Sequence, residues 1–154
     1  MNIWAGIILA AVAIGAFGFT KLAKAGANLV TETTGRIHSI DLTSITFAID
    51  ALIKNPSNTS LTIQYPFIKI SYKDNLIASS NLVNRLVTIA PLTQTNIKGI
   101  KIPVSYIKLT GVGAELIQKI QDKTKKVTLQ VTIVTQIHLA GSIVPFTKTD
   151  DVTF

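Results

Sequence analysis

The chain has no cysteine, so disulfides, thiolate metal sites, iron–sulfur clusters and cysteine nucleophiles are all excluded. Histidine is nearly as scarce: His38 and His138 fall in different segments, with no carboxylate at ligand spacing. They read as surface or edge-strand residues, and neither a zinc site nor a catalytic pair is expected. Aromatics make up 6% of the chain, too few to interleave with cations as a surface that stacks nucleic-acid bases does. Acidic residues number 8 against 15 lysines and arginines. The adjacent pair Asp150-Asp151 would point to opposite sides of an extended chain, so it reads as a solvated tail. Gly111-Val112-Gly113 lacks the third glycine or the lysine of a nucleotide-binding loop and reads as a hinge. No cofactor, metal or small-molecule substrate is expected, and the chain is not expected to be an enzyme.

What is present begins with an absence of charge: Met1 to Thr20 carries no ionisable side chain. A run of about twenty apolar residues spans roughly 30 Å as a helix, the thickness of a bilayer's hydrocarbon core. Residues 1–25 are therefore read as a transmembrane anchor. Ile8, Val12 and Phe17 lie within the run, Trp4 sits near one interface, and Lys21 and Lys24 sit just past the other. A cleaved secretory signal is the competing reading, with Ala23-Lys24-Ala25 as the small-x-small site, but a signal carries its positive charge before the apolar run. Gly6 and Ala10, then Ala11 and Gly15, recur at four-residue spacing and would let two helix backbones approach. Ordinary Ala and Gly content explains the same pattern. The flanking lysines predict a single-pass protein with its domain on the cytoplasmic side, or on the inner side of a particle, with a periplasmic domain as the alternative.

Residues 26–36 are small and polar and read as a linker. From residue 37 to 154 the pattern is that of an all-β domain. Ile45, Phe47, Ile49, Ala51 and Ile53 alternate with mostly polar partners, and Asn55-Pro56-Ser57-Asn58 stops the strand with turn chemistry. Leu61 to Tyr65 and Ile68 to Tyr72 repeat the alternation around Pro66, which suits an edge or a bulge. Asp74-Asn75 is placed as a hairpin tip before Leu76 to Ala78. Further strands are predicted at Leu82–Ile89, Lys98–Ile107, Lys126–Leu139 and Ile143–Lys148, with one helix at Gly113–Lys123. Many short Ile-, Val- and Thr-rich strands point to an antiparallel sandwich. Asn58-Thr59-Ser60 matches a glycosylation sequon, but these residues are expected in a turn in any case.

The strand that ends Ile49-Asp50-Ala51-Leu52-Ile53-Lys54-Asn55-Pro56, then Leu61-Thr62-Ile63, then the run from Ile68 through Asp74-Asn75 to Ser79, resembles the group 2 late embryogenesis abundant family, also called the water-stress and hypersensitive-response (WHy) domain. Ile102-Pro103-Val104 fits that family's proline-bearing strand, whereas Ser80-Asn81 stands where many members have glycine. The resemblance implies an immunoglobulin-like or fibronectin-like sandwich of about seven strands and one short helix, with a transmembrane helix directly before it. It implies no catalytic residues. It links the chain to stress tolerance, to defence-related membrane proteins and to lipid handling.

The net charge is +7. Lys119, Lys123, Lys125 and Lys126 cluster around the end of the predicted helix, where cations offset its dipole. The same lysines could meet lipid headgroups, because an anchor would hold the domain near a membrane. The sequence therefore predicts a membrane-anchored structural or interaction module. Its partners would be the lipid bilayer and other proteins, a second copy of itself included, with nucleic acid disfavoured. Two alternatives remain: a sandwich that binds a lipid or apolar ligand between its sheets, and a component of a virion or other large assembly that ties a lipid layer to a protein shell.

Overall fold

The computed structural model describes residues 29–154 apart from Gly113, Lys123 and Ala140. The expected anchor, with Trp4, Ile8, Val12, Phe17, Lys21 and Lys24, and the small-residue stripe Gly6, Ala10, Ala11 and Gly15 lie outside the described residues. No helix among the described residues is long and apolar enough to cross a membrane.

The body is all-β with antiparallel sheets. The strands are β1 (Val30–Ile40), β2 (Ser44–Asn55), β3 (Leu61–Gln64), β4 (Phe67–Tyr72), β5 (Asn75–Ser79), β6 (Leu86–Ile89) and β7 (Thr93–Ser105), followed by β8 (Thr128–Leu139) and β9 (Ser142–Thr153). Two short helices, α1 (Tyr106–Leu109) and α2 (Ala114–Gln121), connect β7 to β8. One sheet has the order β1-β2-β7, and the other runs β5-β4-β8-β3-β6 with β9 on the free side of β8. A single apolar core draws on both, with Phe47, Ile49 and Ile53 of β2 buried together with Ile68, Ile70, Val131 and Ile133. Alternation explains the division, because every second side chain of a strand faces the same way.

In the second sheet β3 and β4 lie end to end along one side of β8, and β6 and β5 flank them on the outside. The break falls at Tyr65-Pro66, where Ile63 is opposite Ile137 but Phe67 is opposite Val134. The β3–β4 side thus carries one more residue than β8, a bulge of the kind Pro66 tolerates. The buried Thr135 hydroxyl donates to the Gln64 carbonyl there. Counted as lines of chain the two sheets have three and four; counted singly there are nine strands among the described residues, where about seven were expected.

A second bulge lies in β7, where Lys98 and Gly99 together face Asp50 of β2. Gly99 has φ +68, and its N–H donates to Asp50 Oδ1 at 2.6 Å, while Asp50 Oδ2 pairs with Arg36 at 3.0 Å. The edges β1 and β9 are joined by side chains: Lys148 donates to the Thr31 carbonyl and Thr33 to Asp150. Phe154 packs edge-on against Phe47, centroids 5.0 Å apart, over Gly35, where a Cβ would come within 2.5 Å of the Phe154 ring.

Several boundaries differ from the sequence reading. The linker assigned to 26–36 gives way to β1 from Val30, because Val30 to Arg36 is a polar edge strand whose Thr-rich residues pair with β2. Asp150-Asp151 lies within β9 rather than in a tail, and Asp150 is held by Thr33 and Lys148. The hairpin tip is Lys73-Asp74, both with positive φ, one residue earlier than expected. The strand predicted from Leu82 starts at Leu86, and the one predicted at Lys98–Ile107 runs from Thr93 to Ser105 before turning into α1. The expected helix is shorter, Ala114–Gln121, and α1 was not foreseen because four residues carry no readable period.

Candidate functional site: the two ends of the body

Strand directions place every connection at one of two ends except β3–β4 and β5–β6, which lie mid-sheet. The chain enters at Leu29 and Val30, and Val30 lies opposite Lys54, so the β2–β3 turn is at the same end. Leu61 pairs with Ile89, and Thr62 with His138, which brings the β6–β7 and β8–β9 turns there too. The other end holds the β1–β2 turn, the Lys73-Asp74 hairpin, α1, α2 and the junction of Val127 with Phe154, which exchange two backbone hydrogen bonds.

Asn55 fastens the entry end. It is 1% exposed, and its Nδ2 donates to the carbonyls of Thr59, Ile89 and Ala90 at 2.9 to 3.2 Å. Its Oδ1 accepts from the N–H and hydroxyl of Ser57. One amide thereby ties together carbonyls from two turns, and its own polar atoms are satisfied as burial requires. Pro56, beside it, is exposed and opens the turn.

At the far end α2 closes the core with Leu116 and Ile120, and α1 adds Leu109, all buried. Charged residues surround this cap. Glu115 pairs with Lys119 at 2.8 Å and with Lys73 at 3.2 Å, which lowers its carboxyl below the usual carboxylate value, chiefly through the hydrogen bond from Lys119. The same bonds raise both lysines. Asp122 is lowered first by the Thr124 hydroxyl, and it also pairs with Lys125 at 3.7 Å. All of these groups face solvent, so the pairs contribute little to stability.

Beside α2 lies a cleft of about 270 Å³ with Ile37, Ile40, Ile120, Val127 and Phe154 in its lining and Lys119 and Lys125 among the polar residues around it. At the same end of the body three aliphatic side chains project outward. Leu42, in the β1–β2 turn, is 98% exposed, Ile107 in α1 is 82% exposed, and Leu76, just past the hairpin tip, is 60% exposed. The Tyr106 N–H donates to the Thr43 carbonyl at 3.0 Å, so Leu42 and Ile107 sit on adjoining segments.

The structure gathers Lys119, Lys125 and Lys126 at this end, and the side chain of Lys123 is outside the described residues. Lys119 and Lys125 are each paired with an acid. The lysines stand at the end away from Leu29. Sequence reasoning missed Leu42 and Ile107. A lone aliphatic set among turn residues, as in Asp41-Leu42-Thr43-Ser44, was the available signal, but periodicity discards it as noise. Among the described residues no three His, Cys, Asp or Glu are grouped as a metal ion would need. The buried Nε2 of His138 has no hydrogen-bond partner among them.

No family model matches the chain, and no curated protein matches it. Among solved structures, it is similar to a protein from Archaeoglobus fulgidus, with 14% identity over 80% of this chain and 94% of that one, at a TM-score of 0.54. It is also similar to a protein from Arabidopsis thaliana, with 11% identity over 78% of this chain and 77% of that one, at 0.45. A further similarity is to a β-glucuronidase of glycoside hydrolase family 2, with 12% identity over 77% of this chain and 11% of the enzyme, at 0.43. The archaeal likeness bears on the fold alone; the other two carry no argument.

Proposed function

We propose that this chain is a single-pass membrane protein whose body is an immunoglobulin-like or fibronectin-like sandwich that binds or spaces other proteins and performs no chemistry. The carrying observation is the uncharged stretch from Met1 to Thr20, followed by Lys21 and Lys24, which leads into the body at Leu29. Support for the sandwich comes from the three-line and four-line antiparallel sheets that share one core. The resemblance to group 2 late embryogenesis abundant proteins belongs to the same proposal, and in it Asn55-Pro56 closes a structural turn. Entry at one end makes the body project from the bilayer along its strands. The 11 residues of β1, at about 3.3 Å each, put the far end roughly 35 Å from Leu29.

Fractionation tests the reading. The full chain is expected to stay with membranes through alkaline carbonate, and a chain lacking residues 1–25 to be released with its β-sheet circular dichroism intact. Release of the full chain by carbonate would defeat it.

A further inference from the structure

Leu42 and Ile107 have no structural work to do. Neither packs on the core, and they project from adjoining segments at the end farthest from Leu29. Ile40, at the end of β1, and Leu76 add to the apolar character of this end; Leu82, Leu86 and Leu92 are exposed elsewhere on the body, but none as fully as Leu42. Two largely exposed aliphatics on adjoining segments, unlike single ones, form a patch of the kind that is covered in use.

The charges around the tips indicate what covers them. Facing this end are Lys73, Lys108, Lys119, Lys125 and Lys126, with Asp41, Asp74, Glu115 and Asp122. Glu115 and Asp122 are engaged by lysines, Asp74 accepts from Gln130, and Asp41 makes no ion pair among the described residues. Lys108, next to Ile107, and Lys126 make no ion pair among the described residues. Short aliphatic tips with lysines behind them, and no buried polar recognition group at the tips, complement a bilayer: the aliphatics enter the headgroup region and the ammonium groups stay at the phosphates. A protein partner would more commonly be met by aromatic and arginine anchors.

We propose that the α2 end is a lipid-contacting surface that inserts Leu42 and Ile107 into an anionic bilayer other than the one reached by the N-terminal run, so that the body bridges two lipid surfaces. The second membrane rests on the anchoring proposed above; the lipid contact does not. Because the tips lie the length of β1 away from Leu29, a body standing on its anchor presents them away from its own membrane.

The test uses the full chain reconstituted in phosphatidylcholine vesicles, with fluorescent vesicles of phosphatidylcholine alone or with added phosphatidylserine offered as the second surface. Capture of the phosphatidylserine vesicles is expected. It should fall at least about tenfold in the Leu42→Ser/Ile107→Ser double variant, given the transfer free energy of two aliphatic side chains, and it should fall in Lys108→Glu/Lys126→Glu. Both pairs are exposed, and unchanged circular dichroism shows that the variants fold. Equal capture of the two vesicle types, or capture that the double variant leaves unchanged, would overturn the proposal, as would absence of capture by an anchored chain. Should carbonate strip the chain from its own vesicles, the anchor has failed, and the tips are scored by flotation of the same chain with phosphatidylserine vesicles. Binding that the Leu42→Ser/Ile107→Ser change abolishes then upholds the lipid contact alone, and no binding refutes it.

Discussion

The two ends of the body close the same core with different chemistry. At the entry end one buried amide, that of Asn55, collects carbonyls from neighbouring turns. At the far end Leu109, Leu116 and Ile120 do the closing, exposed ion pairs dress the outside, and aliphatic tips are left uncovered. A hydrogen-bonded turn is specific in direction and satisfies its own polar groups, whereas a helix laid across open strand ends brings its own apolar face and frees the adjoining turns for other residues. Exposed aliphatic side chains occur at both ends, Leu92 in the β6–β7 turn among them, but only the far end is closed by a helix.

The comparison can be broken at either end, and the largest effect is expected at the cap. Leu116→Ala removes a fully buried side chain from α2 and is expected to cost about 2–5 kcal/mol in chemical denaturation. Native-state hydrogen exchange should rise first in α1 and α2; a uniform rise would mean that the cap and sheets open as one unit. Asn55→Ala removes the donor shared by the Thr59, Ile89 and Ala90 carbonyls and is expected to cost about 1–3 kcal/mol, with exchange rising first in the turns it ties together. Gly99→Ala probes the middle of the body. A Cβ meets nothing within 4 Å, so the strain of φ +68 alone should set its cost, about 1–2 kcal/mol by the same denaturation midpoint.

The smallest effect belongs to Glu115→Gln. Its folded pKa is lowered, so its contribution is complete above the ordinary value of 4.5 and is lost as pH falls through the lower folded value. Lys73 and Lys119 are raised, so their contribution is complete below 10.5 and is lost as pH rises through the folded values. Glu115→Gln should therefore flatten both the acid and the alkaline limb of a stability profile slightly, leaving the cap in place. A large loss at neutral pH would show that the ion pairs, not the apolar face, hold α2.

The β character of the body was legible because most of its strands bury one face. Ile45 to Ile53 and Val127 to Ile133 alternate in plain view, and their residues reach the core as the period requires. What the alternation could not show was β1, since an edge strand reading Thr-Glu-Thr-Thr-Gly-Arg has nothing apolar to count, nor α1, which is one turn long. Asn55 was visible as a strand stop, yet its role depends on Ile89 and Ala90, more than thirty residues away. The lysines around α2 were visible as a cluster. Their distance from Leu29 was not, because it follows from the direction of every strand between them.

The absence of cysteine permits a direct measurement on the N-terminal run, because single cysteines can be introduced one at a time from Trp4 to Ala25 without background. With the full chain in bilayers, a water-soluble maleimide is expected to leave an unbroken block of about twenty positions unmodified, while cysteines beyond Lys24 react. Reaction at every position, or protection recurring every three to four residues as on a helix packed against protein, would contradict the membrane tether.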